Sequence, residues 1–240
     1  LRRAVLLALF AVAFGYVEAA VVVYLRVVYD PIRASLHRGR PEGSLLPLIT
    51  LDELRADDPD HVRRLGIELG RELATLIMLA TAAALARRRR GEWIAMFLIA
   101  FGVWDLAYYA GLKVMIGFPA TLLTWDILFL IPVPWLGPVL APALVALTMV
   151  VAGGVVLAET ARGRPLRATA GHWCAVLGGA VIIIVSFTKD HAQTMAGEMP
   201  ERFSWLLFSA GLLLALAAFV HALRRCRAGP VGVGCAGPGD

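Results

Sequence analysis

The chain has 240 residues, 59% of them hydrophobic and 17% charged, with a mean hydropathy of +0.74 and a net charge of +5. That balance excludes an ordinary soluble domain, and the apolar residues arrive in long blocks, which excludes collagen, a coiled coil and a disordered chain. Three cysteines, Cys174, Cys226 and Cys235, show neither CxxC nor other metal-type spacing and are too few for a disulfide framework.

A bilayer core about 30 Å thick is crossed by roughly 20 helical residues. Six blocks reach about that length, at 4–28, 66–86, 93–112, 136–158, 173–188 and 203–223. Backbone polar groups in hydrocarbon must be satisfied within the segment, so these blocks are expected to be helices. The fold class expected is an all-α polytopic bundle, one transmembrane domain over residues 1–227. The first block carries Val17, Glu18, Ala19 and Ala20, which look superficially like a signal-peptide cleavage site. Its apolar run continues to Val28, too long for a signal h-region, and is expected to be a retained helix.

Between the first two spans, residues 29–65 form a polar loop with Pro31, Pro41, Pro47 and Pro59 and the acids Asp52, Glu53, Asp57, Asp58 and Asp60. It is expected to be external, with one short helix near Leu51 to Arg55. Between the third and fourth spans, Gly117 to Pro134 is too short to cross. The stretch 120–131, begun after Pro119 and ended by Pro132, is expected to be a re-entrant or interfacial half-helix. The Gly- and Pro-rich tail 228–240 is expected to be a disordered cytoplasmic segment.

Arginines test this topology. Arg2, Arg3, Arg87 to Arg90, Arg162, Arg164, Arg167, Arg224, Arg225 and Arg227 all fall at span ends on one side, accompanied only by Glu92, Glu159 and Asp240. This is a positive-inside pattern; it implies an even number of crossings, both termini in the cytoplasm, and integration in a bacterial cytoplasmic membrane. A seventh crossing at 120–131 would carry the last two arginine groups outside. Trp93, Trp135, Trp173 and Trp205 lie near span ends as interfacial anchors. The basic residues follow topology, so no nucleic-acid partner is indicated; the lipid bilayer is the expected partner.

Ionisable residues inside spans are costly and must face other helices or a wet cavity. Glu18, Glu68, Glu72, Asp105, Tyr109, Lys113, Asp126 and Asp190 all fall in the outer leaflet or its interface, together with Arg71 and His191. Glu68 and Glu72 share a helix face by i, i+4 spacing, and Gly15 and Ala19 beside Glu18 allow a neighbouring helix to approach. This convergence points to an acidic pocket that opens outward. Its carboxylates would bind a small ligand or cation, or exchange protons in transport, with Lys113 tuning them. The same groups could serve an enzyme acting on lipid or lipid-linked substrates, and a noncatalytic subunit is the third reading. A static network is the structural alternative, with Glu18 pairing Arg71, Glu72 pairing Arg26, and Asp105 or Asp126 pairing Lys113. Glu68, Glu72, Asp105, Asp126 and His191 offer hard oxygen ligands and one nitrogen for a divalent cation, but no HExxH, HxxxH or ExxH motif supports a metal, and the sequence does not identify a cofactor. His172 and His221 sit at matching depth, where axial haem ligation is conceivable but two unrelated surface histidines are the plainer reading. The pair Trp104-Asp105-Leu106 and Trp125-Asp126-Ile127 is too short to establish a repeat.

Overall fold

The computed structural model describes residues 2–36, 48–196, 198 and 202–228. The expected disorder of the tail concerns residues that, apart from Ala228, lie outside this set, as does Cys235. Among the described residues, six helices are long and apolar enough to cross a membrane. They are α1 (Arg2–Leu36), α3 (Pro59–Ala86), α4 (Trp93–Ile116), α5 (Leu140–Ala161), α6 (Ala170–Thr188) and α8 (Trp205–Ala228), with the short α2 (Leu51–Asp57) and α7 (His191–Met195) between them.

Local chemistry sets the ends of these helices. At the start of α2, the Thr50 backbone N–H donates to Glu53 Oε2 at 2.8 Å and the Glu53 N–H donates to Thr50 Oγ1 at 3.2 Å, a reciprocal capping box. The Asp58 carboxylate accepts the Asp60 N–H at 2.9 Å to cap α3, with proline at the first helical turn. Helix α4 stops where Gly117 turns left-handed at φ 71°, a conformation that favours glycine. At the other end of the chain's polar loop, α1 does not stop at Val28 but continues eight residues further with Pro31 inside it.

The expected half-helix over 120–131 is corrected by the structure. In its place stands an antiparallel hairpin, β1 (Trp125–Phe129) and β2 (Trp135–Pro138), pairing Asp126 with Gly137, Ile127 with Leu136, and Phe129 with Trp135 across a bulge. Two physical preferences favour this outcome. Ile131 and Val133 each precede a proline and are driven toward extended backbone, while Trp125, Ile127, Phe129 and Trp135 are residues suited to strands. Apolar content alone does not separate the two forms over a dozen residues.

Small residues set how closely the long helices approach. A Cβ added at Gly15 would lie 2.6 Å from the Trp104 carbonyl oxygen, and one at Gly111 would lie 2.9 Å from Ala19 Cβ, so α1 and α4 touch along their small faces. The α4–α5 crossing is set by Gly102 and Gly153, and the α6–α8 crossing by Gly179 and Gly211 facing each other. The hairpin ties these parts together. Strand β2 packs on α5 and α6, and Gly137 lies flat against Phe187 and Phe203, where a Cβ would meet ring atoms at 2.8 Å.

The crossing geometry generates a test. Gly102→Val would place a side chain 2.5 Å from the Ala146 carbonyl oxygen, a backbone atom that cannot rotate away. The expected cost is about 1–3 kcal/mol, seen as a lower unfolding midpoint and an earlier loss of the monodisperse peak on heating in detergent. Gly154→Ala, with nothing within 4 Å of the new carbon, should leave the midpoint unchanged.

Candidate functional site

A cavity of about 500 Å³ lies where α1, α3, α4 and the hairpin meet. Of the eight residues singled out in the sequence, Glu18, Glu68, Glu72, Asp105, Tyr109 and Asp126 line it. Trp104, Tyr108, Phe129 and Leu130 supply much of its apolar wall, Leu48 to Thr50 reach it from the loop before α2, and Met195 from the end of α7.

On one wall, Arg71 of α3 binds two carboxylates. Its Nη1 pairs with Glu18 and its Nη2 with Glu68, while its Nε donates to Glu68 Oε1 at 2.6 Å. Thr75 Oγ1 adds a longer hydrogen bond to Glu18 Oε2 at 3.4 Å. The Glu18–Arg71 pair is the one expected for a static network. A buried guanidinium shared between two carboxylates is well satisfied, so this wall is structural before it is anything else.

Glu72, one helical position on, does not pair with Arg26. Its carboxylate accepts the Leu130 backbone N–H at 3.2 Å through Oε1 and 3.0 Å through Oε2. That bond meets the connection between β1 and β2, whose backbone donor would otherwise be orphaned in an apolar bundle. Asp126, 2% exposed, accepts the Tyr109 hydroxyl at 3.0 Å across the gap between β1 and α4. Burial pushes its carboxyl up to about 6, against the Tyr109 hydrogen bond and the Arg26 charge, which pull it down.

Asp105 differs from all of these. It lines the cavity one helical turn below Tyr109, yet among the described residues it has no hydrogen-bond or ion-pair partner. Its charge and that of Asp126 face the same space.

Two predicted members lie elsewhere. Lys113 does not reach Asp105 or Asp126; its Nζ donates to the carbonyls of Gly117 at 3.2 Å and Pro119 at 2.7 Å, closing the end of α4. Cations at helix C-termini are favoured in this way, and the orphan carbonyls there lie within the side chain's reach. Asp190 precedes α7 and pairs with Lys189 at 2.8 Å. His191 Nδ1 donates to the Thr188 carbonyl at 2.6 Å. Among the described residues no group of three or more His, Cys, Asp and Glu side chains is arranged to hold a metal.

At the opposite end of the bundle, His172 and His221 are in direct contact, Nε2 to Nδ1 at 3.0 Å, rather than two unrelated surface groups. Two nitrogens bound trans to one iron, each about 2.0 Å from it, would stand about 4 Å apart, so this contact does not have the spacing of an axial haem pair. The Thr169 N–H donates to His172 Nδ1, which leaves Nε2–H to donate to His221 in the neutral pair. Nearby, the buried Glu159 carboxylate gathers Arg162, Arg164 and Arg227, a cluster that the sequence, read for topology alone, did not single out.

Glu72 generates a direct test of the hairpin anchor. Glu72→Leu should leave the Leu130 N–H without an acceptor at a cost of about 1–3 kcal/mol, read as faster hydrogen exchange at the Leu130 amide and an earlier thermal transition. Glu72→Gln keeps an acceptor and should stay close to the parent in both readings.

Compared with protein-family models, curated proteins and solved structures, the chain matches none of them.

Proposed function

We propose that this integral membrane protein binds a small organic cation with an apolar body in the cavity between α1, α3, α4 and the hairpin. The carrying observation is that Asp105 and Asp126 line one cavity while Arg71, which lines it too, is already committed to Glu18 and Glu68. A carboxylate in an apolar setting without a partner favours a cationic guest, and aromatic faces of Trp104 and Tyr108 add to that preference. The arginines at the far end support a cytoplasmic position for both termini and an outward opening for the cavity, in a bacterial cytoplasmic membrane.

Transport is the use of such a site that alternating access would supply. Below Thr75, however, Leu79, Ala83, Leu7, Ala11, Met96 and Ala100 pack with Trp104 into an apolar cluster that closes the bundle. A transport cycle has to separate those side chains; binding alone does not. The second reading is a membrane enzyme, favoured by the Tyr109–Asp126 hydrogen bond beside an unpartnered Asp105, a juxtaposed acid and base at about neutral pH.

Calorimetry with decyltrimethylammonium, on protein in maltoside micelles, tests the reading. The parent should bind; Asp105→Asn should weaken binding at least tenfold, and Asp190→Asn, outside the cavity, should not change it. Equal affinity in the Asp105 variant, or none in the parent, contradicts the proposal.

A pH series adds a second outcome. The folded Asp126 carboxyl sits at about 6, above its ordinary value of 3.8. Ionisation therefore costs more in the folded state: the group's contribution to stability is complete below about 4 and is lost as pH rises through about 6. Cation affinity should run the opposite way, climbing between pH 5 and 7 as the carboxylate forms. Asp126→Asn should shrink this step in both curves.

A further inference from the structure

Among the described residues, the cavity base that forms no ion pair gives the ligand a second feature. Arg26, on α1, lines the cavity, and its guanidinium carbon stands 4.1 Å from the centre of the Phe118 ring. Its Nε and Nη2 are buried without a hydrogen-bond partner among the described residues, and it forms no ion pair with any described carboxylate. The expected Glu72 partner is taken by Leu130. Yet Arg26 is close enough to Asp126 for its charge to act on that carboxyl.

A buried guanidinium with orphaned donors and an unpartnered carboxylate in one cavity would gain by meeting. They do not meet. Arg26 is held by the Phe118 face, Asp126 by Tyr109 and by the strand it sits on, and Asp105 lies deeper on α4. Opposite charges kept apart by rigid elements fit a guest whose own charges are kept apart by covalent bonds. A simple cation would compensate Asp105 and leave Arg26 repelling it; a simple anion would face the carboxylates.

We infer that the ligand is a zwitterion, its cationic group against Asp105 and Asp126 and its anionic group, a phosphate or carboxylate, on Arg26. A guanidinium is suited to the second task because its planar fork holds two oxygens at once. The inference rests on the cation reading above and adds the anionic end. The same chemistry is carried by a phospholipid headgroup and by a free zwitterionic solute.

Four probes decide it, each below its own micelle concentration, on the full chain in maltoside: decylphosphocholine, decyltrimethylammonium, decyl phosphate and phosphocholine without a chain. In the parent, decylphosphocholine should bind at least tenfold more tightly than decyltrimethylammonium, and decyl phosphate weakest of the chain-bearing three. Arg26→Gln should shrink that gap to less than twofold while decyltrimethylammonium keeps or gains affinity. Arg26→Lys should retain part of the gap. Parity between zwitterion and cation in the parent, or a gap that survives Arg26→Gln, overturns the inference while the cation reading stands. Absence of binding by both in the parent defeats the two together. The ranking in the parent needs no variant, so it decides even if Arg26→Gln does not fold. Phosphocholine binding within about tenfold of decylphosphocholine identifies a free solute as the source, and a loss beyond a hundredfold identifies a lipid headgroup; either supports the zwitterion.

Discussion

The carboxylate of Glu72 on α3 accepts the backbone N–H of Leu130 and so ties the hairpin turn to the wall of the cavity. A hairpin placed among apolar helices carries edge donors that must find acceptors, and hydrocarbon offers none. With this bond made, the hairpin residues Asp126 to Leu130 line the cavity beside α1, α3 and α4. The same bond consumes the carboxylate that would otherwise have neutralised Arg26, so one contact both shapes the chamber and leaves its charges uncompensated.

The cavity walls divide by what their charges have already found. Glu18, Glu68 and Arg71 satisfy one another and behave as a joint between α1 and α3. Asp126 accepts from a phenol, Arg26 rests on the Phe118 ring with Nε and Nη2 lacking a hydrogen-bond partner, and Asp105 has neither hydrogen bond nor ion pair within the described residues. Buried networks are costly when incomplete, and this one is incomplete at Arg26 and Asp105. That gradient, from closed joint to open charge, separates a binding surface from a packing device better than a count of carboxylates does.

Much of the architecture was legible in the sequence because it follows from one strong constraint. Twenty-residue apolar blocks bounded by arginine specify helices, and the structure has all six. Gly15 and Ala19 announced the close approach that brings α4 beside Glu18, and the short helix expected near Leu51 to Arg55 stands as α2. The hairpin was not legible as such. Over 120–131 the hydrophobic pattern fits helix and strand alike, and only the two X–Pro pairs and the aromatic content lean toward extended backbone.

Depth along the membrane normal, the property that grouped the candidate site, follows from counting residues, and six of eight members do share one cavity. Direction around each helix is harder to read. Lys113 sits at the right depth but turns to the carbonyls of Gly117 and Pro119, and Asp190 stands beyond the end of α6 on Lys189. Arg26 entered the sequence reading only as a partner for Glu72, and its unpaired state became visible when the Leu130 amide was seen to occupy that carboxylate.

The central claim is that Asp105 and Asp126 receive a positive charge inside the bundle. The most direct measurement is a diffraction structure of the protein saturated with an amphiphilic trimethylammonium bearing bromine at its first chain carbon, located by anomalous scattering. The account requires the bromine peak within the cavity, beside Asp105 and under the hairpin. A peak on the outer helix faces alone, or none at saturation, would contradict it.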